Sequence, residues 1–78
     1  MKPRSLVLAD LRSRFRLTPT QAKVATLLAD RLTNAEIAAQ LQVKPSTARH
    51  HTEAVLFRMG VRSRFAVLGR FTELNHGA

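Results

Sequence analysis

Apolar residues recur along this chain every three or four positions, and no run alternates apolar and polar in the manner of a strand. The spacing predicts helices. In "LTPTQAKVATLLADRL" Val24, Leu28 and Leu32 follow i, i+4, i+8, with Ala25 beside them. Thr18 suits an N-cap, Pro19 the first helical position and Gln21 the third position of a capping box, so a first helix is expected over about residues 19–31. "LTNAEIAAQLQV" repeats the device: Thr33 caps, Glu36 reaches back, and Leu32 can staple against Ile37, leaving Ile37, Ala38 and Leu41 inward on a helix of about two turns.

A third helix restarts at Pro45 in "KPSTARHHTEAVLFRM" and runs to Gly60, a residue that readily takes the left-handed conformation ending helices. The fourth begins after Ser63 as N-cap, with Val67, Phe71 and Leu74 at i, i+4, i+7 and Leu68 beside them. Upstream, Leu8, Leu11 and Phe15 share one face of a short basic helix between Ser5 and Arg14, among Lys2, Arg4, Arg12, Arg14 and Arg16. The expected fold is all-α: four helices over residues 17–75, preceded by a basic lead-in segment over residues 1–16.

At about 100° per residue, Ala48, Thr52, Val55 and Met59 fall on one side of the third helix, with Leu56 at the margin. Ser46, Arg49, His50 and Glu53 fall on the other. A short helix, a turn of about three residues, and a second helix that is apolar on one side and donor-rich on the other form a helix-turn-helix, here over about residues 34–53, whose second helix lies in the DNA major groove.

Charge strengthens that picture. Thirteen Lys and Arg against five Asp and Glu give a net charge of +8 in 78 residues, and the sequence pI is about 11.8. Such an excess suits a phosphate polymer or an anionic surface. The chain has no cysteine, which removes disulfides and thiolate zinc sites and fits a reducing, cytoplasmic setting. No window approaches the roughly 20 apolar residues that span a bilayer, and "MKPRSLVLADLRSRFR" lacks the apolar core of a signal peptide.

The combination of "LTP" at 17–19, "LTNAEIAAQL" at 32–41, "STA" at 46–48 with His51 three residues on, and "MGVRSR" at 59–64 resembles the LuxR-type (GerE-like) helix-turn-helix domain of bacterial transcription regulators. The resemblance covers about residues 17–75. It implies a four-helix fold in which the third helix reads DNA and the fourth supports dimers. Four positions depart from the family pattern. Thr20, Gln21 and Ala22 stand where an acidic residue often follows "LTP"; Arg31 replaces the usual glycine, so that corner is expected to close without easy left-handed geometry. Lys44, a poor capping residue, precedes Pro45, and its ammonium opposes the positive helix N-terminus; a bound phosphate would relieve both. Phe57 sits where charge is common.

The adjacent His50 and His51 point about 100° apart on a helix, so they do not easily share a metal; His51 has no ligand-type partner at i+3 or i+4, and His50 has only Glu53, too few ligands for a site. Nor does any serine or carboxylate form a triad with either ring; no enzyme activity, metal or cofactor is expected. The family's base-contacting positions match Arg49, His50 and Glu53. Arginine suits guanine O6 and N7, and glutamate accepts from cytosine N4, while an i, i+4 ion pair between Arg49 and Glu53 on a solvated face is the plainer alternative.

His51 is read first as a packing residue, and the resemblance also sets it near the DNA backbone. Further phosphate contacts are expected from Thr33 and Asn34, from Lys44, Ser46 and Thr47, and from Arg62 and Arg64, although Arg64 can instead hold the corner between helices three and four. Phe65, Val67, Phe71 and Leu74 are candidates for a dimer interface. Double-stranded DNA is the expected partner, bound by a homodimer, with a sensory or receiver domain upstream if the chain is part of a longer regulator. Two rivals are a sigma-factor-like promoter-reading domain, against which His51 and "MGVRSR" weigh, and a helical protein-interaction module that uses the basic face.

Overall fold

Among the described residues, 4–76 in backbone and 8–70 in side chains, the computed structural model has five helices and no strand. They are α1 (Arg4–Phe15), α2 (Pro19–Ala29), α3 (Asn34–Leu41), α4 (Pro45–Met59) and α5 (Arg64–His76). The fold is the all-α arrangement expected, with the lead-in helix as α1.

The helix starts follow from local chemistry. Thr18 and Gln21 exchange backbone and side-chain hydrogen bonds, both 3.1 Å, and form a complete capping box at α2. At α3, the Thr33 amide donates to Glu36 Oε1 at 2.8 Å while the Glu36 amide donates to Thr33 Oγ1 at 3.2 Å. Two orphan donors are satisfied at each end. Ser63 Oγ accepts from the Ala66 amide at the start of α5, at a longer 3.4 Å.

The helix ends repeat one device three times. At the ends of α2, α3 and α4 a left-handed residue sends its amide to the carbonyl three back, and the next residue sends its amide to the carbonyl five back, the Schellman pattern. The paired bonds are Arg31 to Leu28 and Leu32 to Leu27, Gln42 to Ala39 and Val43 to Ala38, and Gly60 to Phe57 and Val61 to Leu56, at 2.9–3.2 Å. The residue after each left-handed position is apolar, and Leu32, Val43 and Val61 all pack against the core. Only Gly60 is glycine. Arg31 (φ 66°) and Gln42 (φ 58°) enter the left-handed region despite their Cβ atoms, at a cost of about 1–2 kcal/mol each. The α2–α3 corner therefore closes with left-handed geometry after all, because the two returning hydrogen bonds and the burial of Leu32 outweigh that cost. As a result α2 ends at Ala29, two residues before the expected boundary.

The core is one cluster. Val24, Ile37, Val55, Met59 and Val67 are buried together with smaller residues, among them Ala25, Ala38 and Ala48. α4 packs against α2, α3 and α5, and α2 also against α5. α1 is no loose leader: Leu11 is fully buried in the same cluster, Leu8 and Phe15 pack against it, and the helix lies on α2 and α5. On α5 the expected apolar stripe splits. Val67 is buried whereas Leu68 is 41% exposed, because adjacent residues diverge by about 100° and only one faces α2 and α4.

Candidate nucleic-acid interface

α4 is delivered by a short turn, Gln42 to Lys44, whose first residue is left-handed. The buried side of α4 is the predicted one: Ala48, Thr52, Val55 and Met59. Thr52 is the only polar residue in that stripe. Its hydroxyl lies 3.0 Å from the Ala48 carbonyl and 3.4 Å from Asn34 Oδ1, so it fastens α4 to the first turn of α3. Sequence reasoning placed Thr52 among the buried residues but gave it no role; a lone hydroxyl in an apolar stripe was the available signal.

Opposite that stripe Arg49, His50 and Glu53 are all exposed and adjacent on the surface of α4. Ser46 joins them at the start of the helix, also exposed, while Thr47 and His51 are half-buried at its flanks. The N-terminus of α4 has Lys44 as cap residue and no side-chain capping bond. Lys44 itself is exposed. The amides of Ser46 and Thr47 are thus left without a side-chain cap beside an ammonium group, an arrangement that suits an anion.

The start of α3 is built otherwise. Thr33 is committed to Glu36, and Asn34, half-buried, accepts from Thr52 through Oδ1. The Thr33 amide, and then its hydroxyl, hold the Glu36 carboxyl below its ordinary value. Both residues expected to meet phosphate thus have internal roles first.

Arg62 is exposed. Arg64 is half-buried, and its Nη2 donates to the carbonyl of Leu32. It spans 32 residues to hold the start of α5 against the α2–α3 corner, rather than the corner before α5. The same corner contributes Arg31, Leu32 and Thr33 to a cleft of about 260 Å³ whose other walls are Leu28, Ala29, Arg64, Phe65 and Leu68.

Of the dimer candidates, Phe65 is 77% exposed beside this cleft. Val67 is fully buried inside its own chain and has no surface for a partner, since its side of α5 faces the core. Phe71 and Leu74 lie outside the described side chains. Among the described residues no three His, Asp or Glu side chains gather as a metal site would require, and no helix is long and apolar enough to cross a membrane.

Two packed helices joined by a short turn, the second buried on one side and open and polar on the other, form a helix-turn-helix arrangement. The family model of the bacterial regulatory proteins of the luxR family matches residues 16–69. The chain belongs to that family, one of DNA-binding transcription regulators. No curated protein and no solved structure matches it.

Proposed function

We propose that the protein is a sequence-specific transcription regulator that lays α4 in the major groove as a homodimer. The observation that carries this reading is the open face of Arg49, His50 and Glu53 beside an uncapped helix start. Arg49 pairs with guanine O6 and N7, Glu53 accepts from cytosine N4, and His50 sits between them. Lys44, Ser46 and Thr47 take one phosphate at the α4 N-terminus, with Arg62 and His51 on the flanking backbone. Thr33, Asn34 and Arg64 support this contact from the α2–α3 corner, and Arg64 does so while bonded to Leu32.

Self-association uses Phe65 and the neighbouring Leu68, the large apolar side chains exposed among the described residues of α5. A two-fold dimer reads half-sites about one helical turn apart. The protein works in the cytoplasm without a cofactor, under a sensory or receiver domain if one precedes it in a longer chain.

Selection from a random DNA pool, followed by binding in a salt series, tests the reading. A two-fold site should emerge, and affinity should fall by orders of magnitude between about 50 and 200 mM salt. Arg49→Ala should cost about 1–3 kcal/mol at one base pair, whereas Lys44→Ala should weaken all sequences alike. Equal and unselective weakening by both would remove Arg49 from base reading; no enrichment and no salt dependence would favour a protein-interaction module.

A further inference from the structure

Phe57 is 84% exposed, more than Phe65 or Leu68, the other large apolar residues exposed among the described ones. It lies on α4, four residues after Glu53, and hence about 6 Å further along the axis and about 40° around it. That puts it on the open face with Arg49, His50 and Glu53. Its neighbours one turn away are Glu53, Ala54, Gly60 and Val61, of which only Glu53 and Gly60 are exposed. Arg58, beside it in sequence, is exposed too, and Arg62 lies just past the helix end.

Such surroundings do not suit protein docking. An apolar interface needs contiguous apolar area, which Phe65 and Leu68 have beside their cleft and Phe57 lacks on its helix. A single exposed ring on the open face, with Glu53 one turn before it and Arg58 beside it in sequence, suits one small apolar group within a polar ligand. The major groove displays one such group, the 5-methyl of thymine, and phenylalanine is among the side chains that pack on it.

We infer that Phe57 is a fourth base-contacting residue, packing on the methyl of a thymine next to the base read by Glu53 on the side of the α4 C-terminus. This rests on the groove reading proposed for α4. Arg58 and Arg62 hold the phosphates on either side and keep the groove edge close. Phe57 thereby extends the read sequence beyond what the polar face alone specifies, and it discriminates thymine from cytosine, which presents an amino group and no methyl.

The probe is the duplex selected by the unaltered protein, made again with each thymine replaced singly by deoxyuridine, which lacks only the methyl. One replacement should weaken the unaltered protein about threefold to fivefold and leave Phe57→Ala unaffected, since that variant has already lost the contact. Phe57→Ala should lose the same factor on the thymine site. With Phe57 so exposed the variant should melt as the unaltered protein does.

If every replacement acts equally on both proteins, or on neither, the inference is overturned while Arg49→Ala still reports on groove reading. A Phe57→Ala variant with unchanged affinity but altered sedimentation would overturn it in favour of a protein contact. If selection enriches no site at all, the groove reading falls and the inference with it.

Discussion

The starts of α3 and α4 belong to consecutive helices, Asn34 and Pro45, and are built on opposite principles. Thr33 and Glu36 close the first from within, each bonding the other's backbone. Lys44 and Pro45 leave the second without a side-chain cap and place a cation beside the positive end of the helix dipole. The first arrangement maximises the stability of the free protein. The second lowers it, and gains only when an anion arrives, so the difference marks which helix end belongs to the scaffold and which to the proposed interface.

Reversing the second design should give the largest effect. Lys44→Asp supplies a good cap and a favourable charge, so stability should rise by about 0.5–1 kcal/mol in a denaturant titration, while affinity for any DNA falls by at least about tenfold. A gain in stability without loss of affinity would detach the α4 terminus from phosphate binding.

Breaking the first design should do the reverse. Thr33→Ala should lower stability by about 1–2 kcal/mol, since the Glu36 amide loses its acceptor although the residue-33 amide can still donate to Glu36. Smaller again is the effect of relieving the adjoining corner: Arg31→Gly should stabilise the fold by about 1 kcal/mol in the same titration, because the left-handed conformation then carries no Cβ penalty.

The smallest difference is in pH. Thr33 holds Glu36 below its ordinary value, so folding favours the ionised form. Its contribution is complete above about pH 4.5 and fades as the pH falls through the lowered value. Glu36→Gln should flatten the acid limb of melting temperature against pH slightly, while Gln21→Ala in the uncharged box of α2 should lower the curve without changing its shape.

How much of this was legible depends on the range over which each cause acts. The capping boxes at Thr18 and Thr33 could be read directly, because the partners are three residues apart. The two sides of α4 could be read for a similar reason, as the period of 3.6 assigns Ala48, Thr52, Val55 and Met59 to one side whatever they pack against. The left-handed turns at Arg31 and Gln42 could not. Each depends on whether Leu32 or Val43 finds a buried place, which is settled by helices elsewhere in the chain. Arg64 shows the same limit at the candidate site: its position near a helix start suggested a local corner, yet its acceptor lies 32 residues earlier. On α5 the periodicity outlined a broad apolar stripe but could not say that Val67 would face inward and Leu68 outward.

The sequence by itself determined where the helices start, that α4 has one apolar and one polar face, and which family the chain joins, because caps, period and motif spacing all act within a turn or two of the chain. Only the tertiary structure decided that α1 belongs to the core through Leu11, that Arg31 would bend into the left-handed region, that Arg64 would span from α5 to the α2–α3 corner, and that Val67 would be buried while the adjacent Leu68 remained in solvent. Those outcomes turn on which surfaces meet across long stretches of chain, where the free energy of burying one side chain is set by residues that local pattern does not contain.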